Sequence, residues 1–130
     1  MMRNDYLKII FFKKLSAFTN DSGLINKAFD DLVKAYDSPR RFYHDLTHIV
    51  ALLKMWEIKK AHFLDPDVVY LAIWFHDAVY DAWKSDNEER SADLARVFLS
   101  QTSFPKSGIE KWRVIFWQPK RMNRKPIILD

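Results

Sequence analysis

The stretch Asp65-Pro66-Asp67-Val68-Val69-Tyr70-Leu71-Ala72-Ile73-Trp74-Phe75-His76-Asp77 decides how this chain folds. Asp65 is a side-chain acceptor placed just before Pro66, and proline is favoured at the first helical position because its missing N–H has no intrahelical partner there. Val68, Val69, Leu71, Ala72 and Phe75 then follow at helical intervals, so the segment reads as a strongly apolar helix that ends on a polar pair, His76-Asp77. A helix so rich in large apolar side chains belongs in a core, and the other elements are expected to surround it.

Working outward, apolar residues recur every three or four positions, strand-like alternation is missing, and the whole chain holds two glycines, Gly23 and Gly108. Together these predict helices throughout. A first helix is expected over about Asp5–Phe18, with Tyr6, Ile9, Ile10, Lys13 and Ala17 along one stripe. A second runs over about Gly23–Tyr36, carrying Leu24, Ala28, Leu32 and Ala35, after a break at Asn20-Asp21-Ser22. Ser38-Pro39 stops it, since the residue before proline is pushed out of helical geometry. A third helix, about Asp45–Lys60, presents Ile49, Leu52, Leu53 and Trp56. Ser85 and Glu88 have capping-box spacing and open a helix with Ala92, Ala95, Val97, Phe98 and Leu99, and Ser107 and Glu110 repeat that spacing. The fold class is therefore all-α.

Composition narrows the function. A hydrophobic content of 48% supports a core, and no apolar run is long enough to span a bilayer. The N-terminus lacks a signal peptide's apolar stretch, so a cytoplasmic protein is expected. Without cysteine there is no disulfide or thiolate, and any metal must be held by His, Asp and Glu. The net charge of +4 is unevenly placed: residues 1–110 hold 15 Lys and Arg against 16 Asp and Glu, whereas residues 111–130 hold 6 against 1. The body, at net −1, is not shaped for nucleic acid, and the basicity belongs to the last twenty residues.

The four histidines are His44, His48, His62 and His76. An adjacent His-Asp at the polar end of an apolar helix offers a nitrogen and an oxygen donor suited to zinc, manganese or iron, with magnesium depending less on imidazole. A carboxylate buried inside Ile73–Tyr80 needs a metal or another cation to offset its desolvation. A second helix must bring a further ligand, and His48 qualifies because it opens the Ile49–Trp56 helix, whose apolar face can pack on Val69–Phe75. His62, between Lys60 and Asp65, reads as surface.

Arg40 and Arg41 offer guanidinium forks for phosphate, or simply face solvent. His44 lies one helical turn before His48 and is a candidate to bond a phosphate oxygen or an activated water. Asp81 and Glu88 are candidate general acids or bases, with helix-end capping as their other reading. Lys84 is a further phosphate candidate, and Asn87 a partner for Glu88.

From Tyr36 to Leu99 the chain resembles the bacterial family of metal-dependent HD-superfamily phosphohydrolases. The resemblance rests on Tyr36-Asp37-Ser38-Pro39-Arg40-Arg41-Phe42-Tyr43-His44, on His48-Ile49, on Ala72-Ile73-Trp74-Phe75-His76-Asp77-Ala78-Val79-Tyr80 and on Asn87-Glu88-Glu89-Arg90-Ser91-Ala92, in that order. It implies an HD-type helical bundle, a divalent metal cofactor held by one histidine, a following His-Asp pair and a later aspartate, and hydrolysis of a small phosphorylated substrate such as a nucleotide. By position, His48 is the first ligand and His76 and Asp77 are the pair.

The family pattern continues with a Thr-x-x-His segment and a last aspartate, neither of which is readable after residue 110. Residues 1–110 are thus expected to be the N-terminal part of an HD-type domain, incomplete at its C-terminal end, and residues 111–130 an atypical basic tail. Read one nucleotide earlier, the codons from Phe116 to Asn123 permit Leu-Ala-Thr-x-x-His-Glu, as a frameshift before about Trp112 would require. Three remaining ligands are then expected to hold an ion weakly, with loss of activity as the extreme case. The alternative is a non-catalytic helical binding module that meets nucleic acid through Arg113, Lys120, Arg121, Arg124 and Lys125. Trp112, Ile115, Phe116 and Trp117, if uncovered, favour a homo-oligomer.

Overall fold

In the computed structural model, residues 3–37, 45–79, 86–108 and 110 are described, and every regular element among them is helical. The order is α1 (Arg3–Leu15), α2 (Ser22–Tyr36), α3 (Leu46–Lys59), a 3-10 turn (Lys60–His62), α4 (Pro66–Phe75) and α5 (Asn87–Leu99). Residues 106–108 and 110 are helical as well, where the Ser107–Glu110 spacing places a helix start. No described helix is long and apolar enough to cross a membrane.

The centre of the molecule is α4, in which every residue from Val68 to Phe75 is buried. A helix covered on all sides needs partners on all sides, and aromatic contacts supply them. Phe11 of α1 and Phe29 of α2 each meet the Trp74 ring edge-on, both with centroids 5.6 Å apart. From α3, Trp56 meets Tyr70 at 5.2 Å, and from α5, Phe98 stacks on Phe75 at 5.7 Å. Such pairs are worth about 0.5–1.5 kcal/mol each beyond their buried area. Lys14 ties the end of α1 to the start of α4: its ammonium lies 3.0 Å from Asp67 and over the rings of Trp56 and Tyr70.

Three helix starts are capped by aspartate. Asp21, Asp45 and Asp65 accept from the backbone N–H of Leu24, His48 and Val68 at 3.0, 3.1 and 3.3 Å. Each such cap satisfies a donor that the first helical turn leaves over. The expected capping box at Ser85 is corrected: α5 begins at Asn87, with Asp86 in the cap position and no side-chain cap bond, and Ser85 itself lies outside the described residues. The burial of Ala92, Ala95, Phe98 and Leu99 sets the register of α5, and its first turn gains Glu88 and Glu89 as favourable charges for the helix dipole.

Three expected faces also change. On α1 the core takes Leu7, Phe11 and Leu15, while Tyr6 and Ile9 are more than half exposed. The run Leu7–Phe12 is apolar on more than one side of a helix, so spacing alone leaves two solutions. The face carrying Phe11 brings a ring to both Trp74 and Phe29, and that is the face buried. On α5, Val97 is 63% exposed, whereas Phe98 and Leu99 are buried. The α2 core face consists of Ile25, Phe29, Leu32 and Tyr36, one step round from the expected Leu24, Ala28 and Ala35.

The segment after α5 packs where α1 ends and α4 begins. Ser103 donates through both its N–H and its hydroxyl to Phe18 O, at 2.8 and 3.0 Å, and Phe104 meets Phe18 edge-on at 5.0 Å. Gly108 is buried there: a Cβ on it would come within 2.8 Å of Phe104 Cε1 and 3.2 Å of Val68 Cγ2. Glycine is required at that approach by space, not by backbone conformation.

Candidate metal centre at the end of the buried helix

The C-terminal end of α4 presents a hydrogen-bonding problem whose solution builds the site. The last helical bond runs from His76 N–H to Ala72 O at 2.8 Å, which leaves the carbonyls of Ile73, Trp74 and Phe75 beyond the regular ladder. The buried surroundings limit solvent there, so side chains and the following turn supply donors. His76 Nδ1 lies 3.0 Å from Ile73 O and 3.1 Å from Ala72 O. The Tyr36 hydroxyl, from the last residue of α2, donates to Trp74 O at 2.7 Å, and Ala78 N–H donates to Phe75 O at 3.1 Å.

This arrangement fixes the chemistry of His76. Carbonyl oxygens only accept, so the proton of the neutral ring sits on Nδ1 and the lone pair on Nε2. Nε2 in turn lies 3.5 Å from Asp77 Oδ2, with the two side chains 19% and 20% exposed. A lone pair and a carboxylate oxygen repel at that distance unless a proton or a metal cation stands between them. Two donors on a tetrahedral ion with bonds of about 2.1 Å are about 3.4 Å apart, so the nitrogen and oxygen fit two corners of such a site. The anchoring of the remote ring nitrogen by a carbonyl is the orienting contact common to metal-ligating histidines.

Asp77 is not a carboxylate sealed in the apolar run, as the sequence suggests. α4 ends at Phe75, and the His76-Asp77 pair sits in the turn beyond it, where partial exposure lowers the desolvation cost.

His48 is the third residue of α3, half-buried, with its backbone N–H held by Asp45. The Trp56 indole N–H donates to Pro66 O at 2.9 Å and its ring meets Tyr70, so the end of α3 packs on the start of α4 and the two helices run back against each other. From Trp56 back to His48 is about 12 Å along α3, and from Tyr70 on to His76 about 9 Å along α4, at about 1.5 Å per residue. His48 and His76 are therefore carried to the same end of the helix pair. Among the described residues, no group of three or more His, Asp or Glu side chains is placed to hold a metal ion, so the pair His76–Asp77 is what this part of the structure brings together.

Glu88 lies half-buried in the first turn of α5. Arg40, Arg41, His44, Asp81 and Lys84 lie outside the described residues. The described residues that flank them gather at this same end: Tyr36 bonds Trp74 O, Asp45 caps α3, and Val79 is bonded to Ser91 of α5. His62 is exposed, as its setting suggests.

Ser91 and Tyr36 both bond backbone next to the site, and sequence spacing gives neither of them a role. Ser91 is fully buried. Its Oγ accepts from Val79 N–H at 3.0 Å and donates to Val79 O at 3.2 Å. The signal in the sequence is a hydroxyl on the buried stripe Ser91, Ala95, Phe98, because a polar group in a core position implies a bonding partner. Tyr70 is a third buried hydroxyl. Burial pushes its phenol up to about 12 against a smaller opposing pull from the Trp74 indole, and the two groups face each other without reaching hydrogen-bond geometry. Comparisons with protein-family models, with curated proteins and with solved structures found no match to this chain.

Proposed function

We propose that the chain is a metal-dependent phosphohydrolase of the HD type, with His76, Asp77 and His48 as the ligands of a divalent cation. The observation that carries this reading is the His76–Asp77 geometry: an imidazole whose Nδ1 is engaged by Ile73 O and Ala72 O, with Nε2 set 3.5 Å from a carboxylate oxygen. The arrival of α3 and α4 at one end is the support for His48 as the third donor, which would have to close on the pair, since the three side chains do not already form a ligand group. The donor set is nitrogen and carboxylate oxygen with no sulfur, which fits zinc, manganese or iron and accommodates magnesium.

Held by His76, Asp77 and His48, a divalent cation would supply Lewis-acid polarisation of the phosphate and a water acidic enough to give hydroxide near neutral pH. The chain's own groups do the rest. Arg40, Arg41 and Lys84 hold the phosphate and neutralise the charge that builds on it. Water attacks phosphorus, the ester P–O bond breaks, and the leaving alkoxide takes up a proton. His44, Asp81 and Glu88 are the groups proposed to remove the water proton and to supply the leaving-group proton. The substrate class is a small phosphate ester such as a nucleotide.

The test combines calorimetric titration of the metal-free chain with Mn²⁺ and Zn²⁺ and phosphate release from a panel of nucleotides. Wild type is expected to bind one ion and hydrolyse at least one member of the panel. H76A and D77N are expected to lose both properties while retaining the helical circular-dichroism spectrum. Absence of ion uptake in wild type, or uptake unchanged in both variants, refutes the proposal.

A further inference from the structure

We infer that Ser91 is the positioning residue of the His76–Asp77 pair, an inference that rests on the metal-site reading above. The pair sits in the turn that leaves α4, and among the described residues two backbone ties beyond the helix limit where that turn can go. One is Ala78 N–H to Phe75 O, which closes the turn on its own helix. The other is Ser91, which grips Val79 by both backbone polar groups, at 3.0 and 3.2 Å. Of these two, the second is long in sequence and joins the turn to a different helix.

A hydroxyl buried to zero exposure is costly unless its donor and acceptor are both used, and here both are spent on one residue. The two-point grip fixes Val79 in distance and in rotation about its own backbone, which a single hydrogen bond does not do. Asp77 is two residues away, with no intervening glycine to decouple it. Ser91 thus sets where the carboxylate stands relative to the helix that carries His76. The same hydroxyl also fixes the distance from the pair to the first turn of α5, because Glu88 lies three residues before Ser91 and so shares its side of the helix. Alanine at position 91 would keep the helix and the packing of its apolar neighbours but release Val79.

The experiment uses the full chain and three variants: S91A, S91C, which keeps a weaker donor and acceptor of similar size, and A95G, which loosens the same helix one turn away. Mn²⁺ and Zn²⁺ affinities are measured by titration calorimetry, the Co²⁺ visible spectrum reports coordination, and amide exchange at Val79 is followed in metal-free protein. S91A is expected to bind at least about tenfold more weakly and to shift the Co²⁺ spectrum, as loss of a ligand-orienting contact does. S91C is expected between S91A and wild type, and A95G to bind as wild type at a comparable loss of stability. Equal affinities in S91A and wild type, or equal losses in S91A and A95G, overturn the inference. Should S91A fail to fold, S91C against A95G decides by the same criteria. Wild type that takes up no ion refutes the proposed function. The positioning claim is then decided by exchange alone: selective release of the Val79 amide in S91A but not in A95G upholds it, and release in both or neither ends it.

Discussion

Removing one buried tyrosine hydroxyl should destabilise this protein, and removing another should not. The Tyr36 hydroxyl donates to Trp74 O at 2.7 Å in the interior, at the end of a helix where that carbonyl lies beyond the regular ladder. Tyr36→Phe deletes the donor and leaves the carbonyl buried, a loss of about 1–3 kcal/mol. The Tyr70 hydroxyl is buried without a hydrogen-bond partner, so Tyr70→Phe removes an unsatisfied group and keeps the ring on Trp56. Its expected effect lies between neutral and a gain of about 1 kcal/mol. Urea unfolding followed by tryptophan fluorescence and circular dichroism reads both, with the midpoint moving down in Y36F, level or up in Y70F, and the m-value constant. A Y70F midpoint as low as that of Y36F would show that the Tyr70 hydroxyl is paired in solution and would overturn the account of the α4 face.

Other outcomes follow from particular contacts. Tyr70 also makes stability depend on alkaline pH. Its folded value, about 12, stands above the ordinary 10, so the stabilisation is complete below pH 10 and lost as pH rises through 12. A pH–stability curve of wild type should fall by about 2–3 kcal/mol across that window, and Y70F should flatten it. Asp45→Ala removes the side chain that caps α3 at His48 N–H and should cost about 1 kcal/mol, read as a lower thermal midpoint. Gly108→Ala forces a methyl against buried Phe104 and Val68, and the crowding should outweigh the gain in helix propensity, for a net loss of about 1 kcal/mol by chemical denaturation.

How much of this was legible in the sequence depended on whether one physical term dominated each segment. Asp65-Pro66 and the apolar run after it admit a single solution, and the α4 start and cap follow it to the residue. The α1 face was not legible because Ile9 and Ile10 are as apolar as Leu7 and Phe11, and the choice depends on rings from α2 and α4 that local spacing does not contain. The start of α5 falls one residue after the Ser85–Glu88 spacing puts it, with Asp86 in the cap position, a shift that a four-residue pattern does not resolve. At the candidate site, the pairing of His76 with Asp77 is written in their adjacency. The orientation of His76 comes from carbonyls one turn earlier, and the hold of Ser91 on Val79 spans 12 residues, so neither can be read from a dipeptide.

The burial of α4 on all sides ties the site to the folding of the whole molecule. A helix of ten residues is too short to persist alone in water, so α4 gains its order only as α1, α2, α3 and α5 close around it. His76 inherits that condition, because its ring is held by the final carbonyls of this helix. The donor pair therefore does not survive as a local fragment. Amides along Val69–Phe75 should exchange only through global opening, and the two donor atoms should keep their spacing for as long as the core is closed and lose it in the same event.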